Sequence, residues 1–317
     1  IDADVTVTFG GYKPAHVLTP AAAHCGRTEV VDIGLDGHLD DPELHLLEAA
    51  DVGANWPVPG PEDNKYTQGI VGIAAGSARF PGAAVLAAGA AVQAKAGMVR
   101  YAGPVADLVR SHWPEVVATG SVGDAGRVQA WVVGPGIGTG ASGRDVLAGI
   151  LEDGHPVCAD ADSITLLSSD PTLWDARDPD TPLVLTPHEG EFAGLVGETP
   201  GPDRVAKARE VAERFNAVLL LKGNTTLIAA PDGRVLVNHS PHAWLATAGS
   251  GDVLSGLIGA LLAAGIDPWL ACGYAAYVHT LAAEIAAGGA PGAPTGASGV
   301  LRAVPEAIRR VRACGRS

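Results

Sequence analysis

The chain has 317 residues, of which 47% are hydrophobic, and it carries a formal net charge of −14. This length and composition suit one or two globular domains, and the acidic charge argues against binding to nucleic acid or to an anionic membrane. No apolar stretch is long enough to span a bilayer, because glycine and polar residues interrupt the Ala-rich segments. The four cysteines contain no C-x-x-C pair, so we expect reduced thiols in a cytoplasmic protein rather than disulfides or a zinc site.

The first 35 residues differ from the rest, since Val- and Thr-rich segments on either side of a Pro-bounded turn predict two strands. The acidic stretch DGHLDDPE follows them and is expected to be a linker. The first segment is too short to fold alone, and we divide the chain into residues 1–40 and 41–317. The first residue is Ile1 rather than Met, which suggests a processed or truncated chain.

From about Ile70, short β-branched segments alternate with longer Ala/Leu segments, a pattern typical of helices layered on a mostly parallel sheet. The predicted strands are IVGIAA, MVRYA, AWVVG, PVCAD, LVLT and AVLLLKG. The predicted helices span 81–97, 143–153, 203–216, 251–265, 269–287 and 299–313. The segment TTLIAAPDGRVLVN predicts a hairpin, because Pro-Asp-Gly supplies a turn between two alternating segments.

The segment AGSGD, which ends at Asp252, precedes an apolar helix. Its glycines let a ligand approach the main chain, and the N-terminus of the helix attracts phosphate through unpaired N–H groups and the helix dipole. Gly249, Ser250 and Gly251 are therefore the predicted anion site, and Asp252 beside it is the candidate general base. The alternative is that Asp252 merely caps the helix.

Two other motifs also follow predicted strands. In LLLKGNTTLI, Lys222 and two threonines at the end of a buried strand suit the phosphates or ribose of a nucleotide, although an ordinary turn into the hairpin would look the same. In WVVGPGIGTG, glycines at every second position predict a tight pocket lined by backbone. The G-x-G-x-x-G spacing is missing there, and a glycine-rich turn is the alternative.

The segment VLTPHEGEF places His188 and Glu191 after a strand. His188 could donate a hydrogen bond to a ligand, and Glu191 could orient a water or a metal ion; for an isolated His-x-x-Glu, helix capping is the favoured alternative. The segments AAGSARFPGA and ADADSI, the latter with Asp160 and Asp162, also follow strands. These motifs therefore fall at the carboxyl ends of strands, where open α/β sheets bind ligands.

Six motifs in order resemble the ADP-dependent NAD(P)H-hydrate dehydratase family of the ribokinase-like superfamily: AAGSARFPGA, VVGPGIG, ADADSI, LTPHEGEF, LLKGNTT and AGSGDVLSG. The resemblance covers residues from about 41 to 313 and implies a ribokinase-like three-layer α/β/α sandwich with a mostly parallel central sheet. Residues 1–35 resemble the last strands of the NAD(P)H-hydrate epimerase domain that precedes the dehydratase in many bacteria. The catalytic portion of that domain is missing, so we expect a fragment of a bifunctional protein without epimerase activity.

The resemblance also implies roles for individual residues. The AMP part of the nucleotide would be contacted by Lys222, Gly223, Asn224, Thr225, Thr226 and Gly251. The hydrated nicotinamide nucleotide would face Ala83, Gly138, His188 and Asp252, with Asp252 as the catalytic base. The sequence departs from the usual pattern at Glu189, where proline is common, and at Ser250, where threonine is common.

The implied reaction is ADP-dependent dehydration of (6S)-NADHX or NADPHX to NADH or NADPH, with release of AMP and phosphate. ADP would phosphorylate the C6 hydroxyl, with Mg²⁺ and the helix N-terminus neutralising the developing charge. We also expect a homo-oligomer. The main alternative is a kinase of the same superfamily acting on a small molecule such as a vitamin precursor, since G-x-G-D serves it equally; a non-catalytic nucleotide-binding protein would be expected to have lost Asp252.

Overall fold

The computed structural model describes residues 1–35, 37–38, 41–94, 96–289 and 292–315. The strands are β1 (Val5–Phe9), β2 (Arg27–Val31), β3 (His45–Leu46), β4 (Ile70–Ala74), β5 (Met98–Ala102), β6 (Val117–Thr119), β7 (Ala130–Val133), β8 (Val157–Ala159), β9 (Leu183–Leu185), β10 (Val218–Leu221), β11 (Thr225–Ala229) and β12 (Val235–His239).

The α-helices are α1 (Pro14–Val17), α2 (Ala49–Asn55), α3 (Pro81–Gln93), α4 (Ala106–His112), α5 (Ala141–Glu152), α6 (Asp162–Ser169), α7 (Thr172–Asp175), α8 (Glu189–Val196), α9 (Arg204–Phe215), α10 (Ser250–Ala263), α11 (Pro268–Ala287) and α12 (Ala297–Cys314). A 3-10 helix spans Ala21–His24. Within the described ranges, no helix combines the length and the apolar character needed to cross a bilayer.

Ten strands form one sheet in the order β3-β12-β11-β10-β9-β8-β7-β4-β5-β6. Neighbours in this sheet are parallel, except that β11 runs antiparallel to both β10 and β12. This arrangement confirms the expectation of a mostly parallel sheet with a hairpin appended to it. Parallel strands joined through helices bring their carboxyl ends to the same edge, which is where the motifs lie.

Helices cover both faces of the sheet, and alternate residues of each strand enter different cores. Val132 of β7 packs with α3, α10, α11 and α12 in one core. Its neighbours Trp131 and Val133 pack with α5, α6, α8 and α9 in the other. The predicted three-layer α/β/α sandwich is therefore confirmed, and the central strands read as continuous apolar segments because both of their faces are buried.

The six predicted strands, the hairpin and the six predicted helices are all present, with ends that differ by a few residues. The helix predicted to reach residue 97 ends at Gln93, and Lys95 lies outside the described residues. The elements β3, β6, α2, α4, α6, α7 and α8 were not predicted. Most of them are short, and a segment of two to eight residues carries too little periodicity to be recognised.

The first 35 residues contain the two expected strands, β1 and β2, which pair in parallel as a separate sheet. The segment between them, predicted as a turn, forms α1 and the 3-10 helix instead. Part of the expected linker, including the division between residues 40 and 41, lies outside the described residues. The segment contacts the large sheet, since the hydroxyl of Thr225 donates a hydrogen bond to the Val17 carbonyl at 3.1 Å.

Candidate active site

A cavity of about 510 Å³ opens at the carboxyl ends of β8, β9 and β10, between the N-terminus of α10 and the middle of α11. The motifs that follow these strands and the loop that precedes α10 supply most of its wall. It is lined by Asp160, Ala161, His188, Glu191, Lys222, Gly223, Asn224, Thr226, Asn238, Ser240, His242, Ala243, Leu245, Ala246, Thr247, Gly249, Ser250, Gly251, Asp252, Leu254, His279 and Thr280.

The N-terminus of α10 presents two backbone amides for an anion. Gly249, the N-cap, has a φ of +84°, a left-handed conformation that favours glycine. The Ser250 amide donates to the Thr247 carbonyl at 3.3 Å, and the Val253 amide donates to Gly249 at 3.3 Å. The amides of Gly251 and Asp252 between them have no carbonyl acceptor in the described part of the chain, and the first turn of a helix leaves such groups for a ligand.

The Ser250 hydroxyl does not complete this anion site. It donates a hydrogen bond to the Leu245 carbonyl at 2.7 Å, and so it ties the loop before α10 to the start of the helix. Of the three residues predicted to hold an anion, Gly249 supplies the turn, Ser250 anchors the loop, and Gly251 contributes an available amide.

Asp252 is the carboxylate of the first turn of α10. Burial raises its pKa from 3.8 to about 7, the negative charge of Asp160 adds to this effect, and Lys222 opposes it. A carboxylate with a pKa near neutral can accept a proton at physiological pH and pass it on, which is the property that a general base needs. Its side chain lines the cavity and has a proton affinity that suits a general base, and its role as the base stays a prediction.

Lys222 follows β10 and makes a buried ion pair. Its Nζ lies 2.8 Å from Oδ1 of Asp160 and 3.6 Å from Oε2 of Glu191. Burial by itself would raise the pKa of Asp160, but the charge of Lys222 and hydrogen bonds from Lys222, Ser255 and Thr186 outweigh it, and the pKa is lowered. The sequence identified Asp160 only as a residue after a strand and gave it no role.

His188 and Glu191 form a reciprocal cap at the start of α8. Nδ1 of His188 accepts hydrogen bonds from the amides of Gly190 at 3.0 Å and Glu191 at 3.1 Å, while Oε2 of Glu191 accepts from the His188 amide at 2.9 Å. The geometry thus shows helix capping, the alternative favoured from the sequence. Because Nδ1 accepts, a neutral ring carries its hydrogen on Nε2, which lies 3.4 Å from Oε1 of Glu191, while 59% of the side chain is exposed.

Three of the residues predicted to contact a ligand do not line the cavity. Thr225 and Thr226 are neighbours in β11 and point to opposite faces, so that Thr226 lines the cavity whereas the buried Thr225 hydroxyl donates to Val17. Ala83 and Gly138 belong to the adjacent strand ends, after β4 and β7. The Gly138 amide donates to Oδ2 of Asp162 at 2.8 Å, and Ala83 lies beside the glycine turn that follows β7.

The part of the cavity lining that comes from β12 and α11 is polar and uncharged. Asn238 of β12 donates to the Thr280 hydroxyl at 2.9 Å. His279 of α11 is 4% exposed, and burial lowers its pKa to about 4, which keeps the ring neutral. Nε2 of His279 and Nε2 of His242 are buried with no hydrogen-bond partner among the described residues. The sequence did not identify either histidine, since no local motif surrounds them.

Comparison with known proteins agrees with this geometry. Residues 71–293 match a family model described as NAD(P)H-hydrate dehydratase. The chain is 52% identical over 310 residues to the bifunctional NAD(P)H-hydrate repair enzyme Nnr of Mycobacterium leprae, covering 97% of this chain and 64% of that protein. It is 40% identical over 235 residues to an ADP-dependent (S)-NAD(P)H-hydrate dehydratase of Neisseria meningitidis, covering 71% of this chain and 79% of that one.

Among solved structures, the fold matches that of the ADP/ATP-dependent NAD(P)H-hydrate dehydratase from Bacillus subtilis, co-crystallised with ATP/Mg²⁺. The TM-score is 0.73 at 28% identity, over 83% of this chain and 97% of that one. The predicted ribokinase-like architecture is thereby confirmed. The chain spans less than two thirds of the length of the bifunctional relatives, 64% in Mycobacterium leprae and 54% in Mycobacterium tuberculosis. On the family model and these identities, the chain belongs to the NAD(P)H-hydrate dehydratase family.

Proposed function

We propose that the chain catalyses the ADP-dependent dehydration of (6S)-NADHX and NADPHX to NADH and NADPH, with release of AMP and phosphate. One observation carries the proposal: Asp252, a carboxylate with a pKa of about 7, stands in the first turn of α10 beside two available amides. An anion-binding helix terminus and a base poised near neutral pH are the two parts that phosphoryl transfer to a hydroxyl requires.

In the proposed reaction, the amides of Gly251 and Asp252 and the ammonium of Lys222 bind the phosphates of ADP. Asp252 accepts the proton of the C6 hydroxyl of the hydrate. The oxygen of that hydroxyl attacks the β-phosphorus of ADP, and the bond between the β-phosphorus and the bridging oxygen breaks, so that the oxygen leaves with AMP. Electrons from the ring nitrogen then expel phosphate from C6, and loss of a proton from C5 completes the dihydropyridine ring. Phosphorylation is needed because hydroxide is a poor leaving group.

We assign the binding of nucleotide to the residues after β10 and at the start of α10. Lys222, Gly223, Asn224 and Thr226 line one wall of the cavity, and Gly251 lines the other. The relative from Neisseria meningitidis is named ADP-dependent, and the Bacillus subtilis protein ADP/ATP-dependent. Both names support a nucleotide co-substrate, and we propose ADP for this chain.

Mg²⁺ would accompany the nucleotide. The described ranges contain no group of three or more His, Cys, Asp or Glu side chains that could hold a metal ion. Both oxygens of Glu191 already face His188 or Lys222. The cavity therefore suits a Mg²⁺ ion that is held by the phosphates of the nucleotide and by water, as is common for Mg²⁺. Such an ion would neutralise charge on the transferring phosphoryl group.

Residues 1–35 are proposed to be the last strands of an epimerase domain. Their parallel pair, β1 and β2, forms a sheet separate from the large one, and the Mycobacterium leprae relative is named bifunctional. We further propose a cytoplasmic location, in keeping with the free thiols of Cys25, Cys158 and Cys272, and a homo-oligomeric assembly, which light scattering would check.

The experiment is to incubate the chain with hydrated cofactor, Mg²⁺ and ADP, and to follow the absorbance of the reduced nicotinamide. We expect the absorbance to return only when enzyme, hydrate and ADP are all present. A kinase of the same superfamily would leave the absorbance unchanged and phosphorylate its own small-molecule substrate, which would contradict the proposal.

A further inference from the structure

The buried carboxylate of Asp160 joins three elements at the phosphate end of the cavity. Asp160 follows β8, and its side chain is 2% exposed. Oδ1 accepts a hydrogen bond from Lys222 after β10 at 2.8 Å, and Oδ2 accepts one from the hydroxyl of Ser255 in α10 at 2.7 Å. A buried carboxylate with an ammonium and a hydroxyl on it stays ionised. Asp160 therefore contributes a fixed negative charge to the lining of the cavity.

The ion pair lies directly against the first turn of α10. A Cβ built on Gly251 would lie 3.5 Å from Nζ of Lys222 and 3.6 Å from Oδ2 of Asp160. Oε2 of Glu191 lies 3.6 Å from the same Nζ. A lysine ammonium on its flexible stem is ordinarily mobile, but this one is held between two carboxylates beside Gly251.

Asp160 also acts on Asp252. Lys222 reaches the cavity from the strand ends, His188 and Glu191 from the start of α8, and the neutral His279 from α11. After burial, which is the largest cause, the charge of Asp160 raises the pKa of Asp252 and that of Lys222 lowers it. The two members of the ion pair thus have opposite effects on the pKa of Asp252.

We propose that Asp160 is a positioning residue for the dehydration: its buried carboxylate fixes the Lys222 ammonium against Gly251, next to Asp252 in the first turn of α10. Asp160 is assigned no contact with substrate. The role in catalysis rests on the proposed function, whereas the ion pair and its effect on Asp252 belong to the unliganded protein. The two can therefore be tested separately.

The first test titrates Asp252 in the unliganded chain by carbon NMR of labelled aspartate carboxyl groups, with the Asp252→Asn variant identifying its resonance. Asp160→Asn is expected to lower the titration midpoint of Asp252 by on the order of one pH unit, and Lys222→Met to raise it similarly. Ser255→Ala removes a hydrogen bond but keeps both charges, and it should move the midpoint far less. An unchanged midpoint in Asp160→Asn would overturn the proposal.

The second test is kinetic. In Asp160→Asn, the acid limb of kcat should move to lower pH together with the NMR midpoint, and KM for ADP should rise on the order of tenfold, because the ammonium is no longer held. Asp160→Glu keeps the charge and should restore the acid limb. An acid limb and a KM that both match the wild type would contradict the positioning role.

Two further outcomes are distinguished from a failure of the coupling: an Asp160→Asn variant that does not fold, and a wild-type chain without the proposed activity. If Asp160→Asn does not fold, the double variant Asp160→Asn/Lys222→Met, which leaves neither charge of the ion pair unpaired, is compared with Lys222→Met: a lower Asp252 midpoint in the double variant supports the coupling, and equal midpoints refute it. If the wild-type chain restores no reduced cofactor, the proposed function fails while the NMR midpoints still decide whether Asp160 acts on Asp252.

Discussion

Replacing Asp252 with asparagine should remove activity and, above pH 4, stabilise the fold. The pKa of Asp252 is about 7 in the folded chain against an ordinary value of 3.8. At about 1.36 kcal/mol for each pH unit, ionising this group in the fold costs up to about 4 kcal/mol, and residual access to water in the cavity reduces the figure to roughly 2 kcal/mol. Losing the base should lower turnover by roughly 10²–10⁴-fold.

The direction of the pH effect follows from which state holds the proton. Below pH 3.8 both states are protonated, and Asp252 has no effect on the free energy of unfolding. Between pH 3.8 and about 7, the unfolded chain loses the proton while the folded chain keeps it, so the wild type loses stability as the pH rises. Asp252→Asn lacks this loss, and its advantage should grow across that interval and then level off.

The assay is thermal unfolding of both proteins from pH 4 to 9, together with initial rates of dehydration. Roughly 2 kcal/mol should raise the Tm of the variant by several degrees at pH 8, and ADP affinity should change little because backbone amides bind the phosphate. Asp267 is a matched control, since it caps α11 by accepting from the amides of Trp269 and Leu270 at 3.1 and 3.2 Å.

Asp267→Ala should lose about 0.5–2 kcal/mol of stability and keep its turnover. If Asp252→Asn behaved in that way, melting earlier while reacting at the wild-type rate, Asp252 would be a capping residue and not the catalytic base.

Two other predictions concern the same site, and a third concerns residues 1–35. Lys222→Met should weaken ADP binding in a calorimetric titration and reduce the free energy of unfolding by about 3–5 kcal/mol, because it leaves Asp160 buried without its partner; wild-type affinity for ADP would count against the assignment. Initial rates at equal Mg²⁺ should be higher with ADP than with ATP, and the reverse order would sink that expectation. The chain should not accelerate interconversion of the R and S hydrates above the spontaneous rate, because β1 and β2 form only a two-stranded sheet; clear acceleration would show that residues 1–35 were misinterpreted.

The layered fold could be predicted because its central strands and long helices carry strong local signals. In β10, four consecutive apolar residues between turn residues indicate a strand buried on both faces. The long Ala/Leu segments of α10 and α11 are each followed by residues of the types that commonly terminate helices. The short elements β3 and β6 could not be predicted, since two or three residues carry too little periodicity, and β3 in addition pairs with β12, which is distant in the sequence.

The site could be predicted where a motif and a strand end coincide. Asp252 and Lys222 were identified because a glycine-rich helix start and a lysine at a strand end suit phosphate binding, although helix capping and an ordinary turn remained as alternatives. Thr225 does not line the cavity, because a strand alternates the directions of consecutive side chains and its hydroxyl donates to Val17; its contact with the nucleotide, implied by the resemblance for five consecutive residues, stays a prediction. His279 could not be found, because it enters the cavity from the middle of α11, and only the packing of that helix reveals it.

The most direct test of the central claim is the stoichiometry of a single reaction mixture. Chain, (6S)-hydrate, Mg²⁺ and ADP are incubated, the reaction is quenched at intervals, and AMP, phosphate and reduced cofactor are quantified. We predict one AMP and one phosphate for each reduced nicotinamide nucleotide formed, with the formation of all three lowered together in Asp252→Asn. Formation of reduced cofactor without AMP, or of AMP without reduced cofactor, would contradict it.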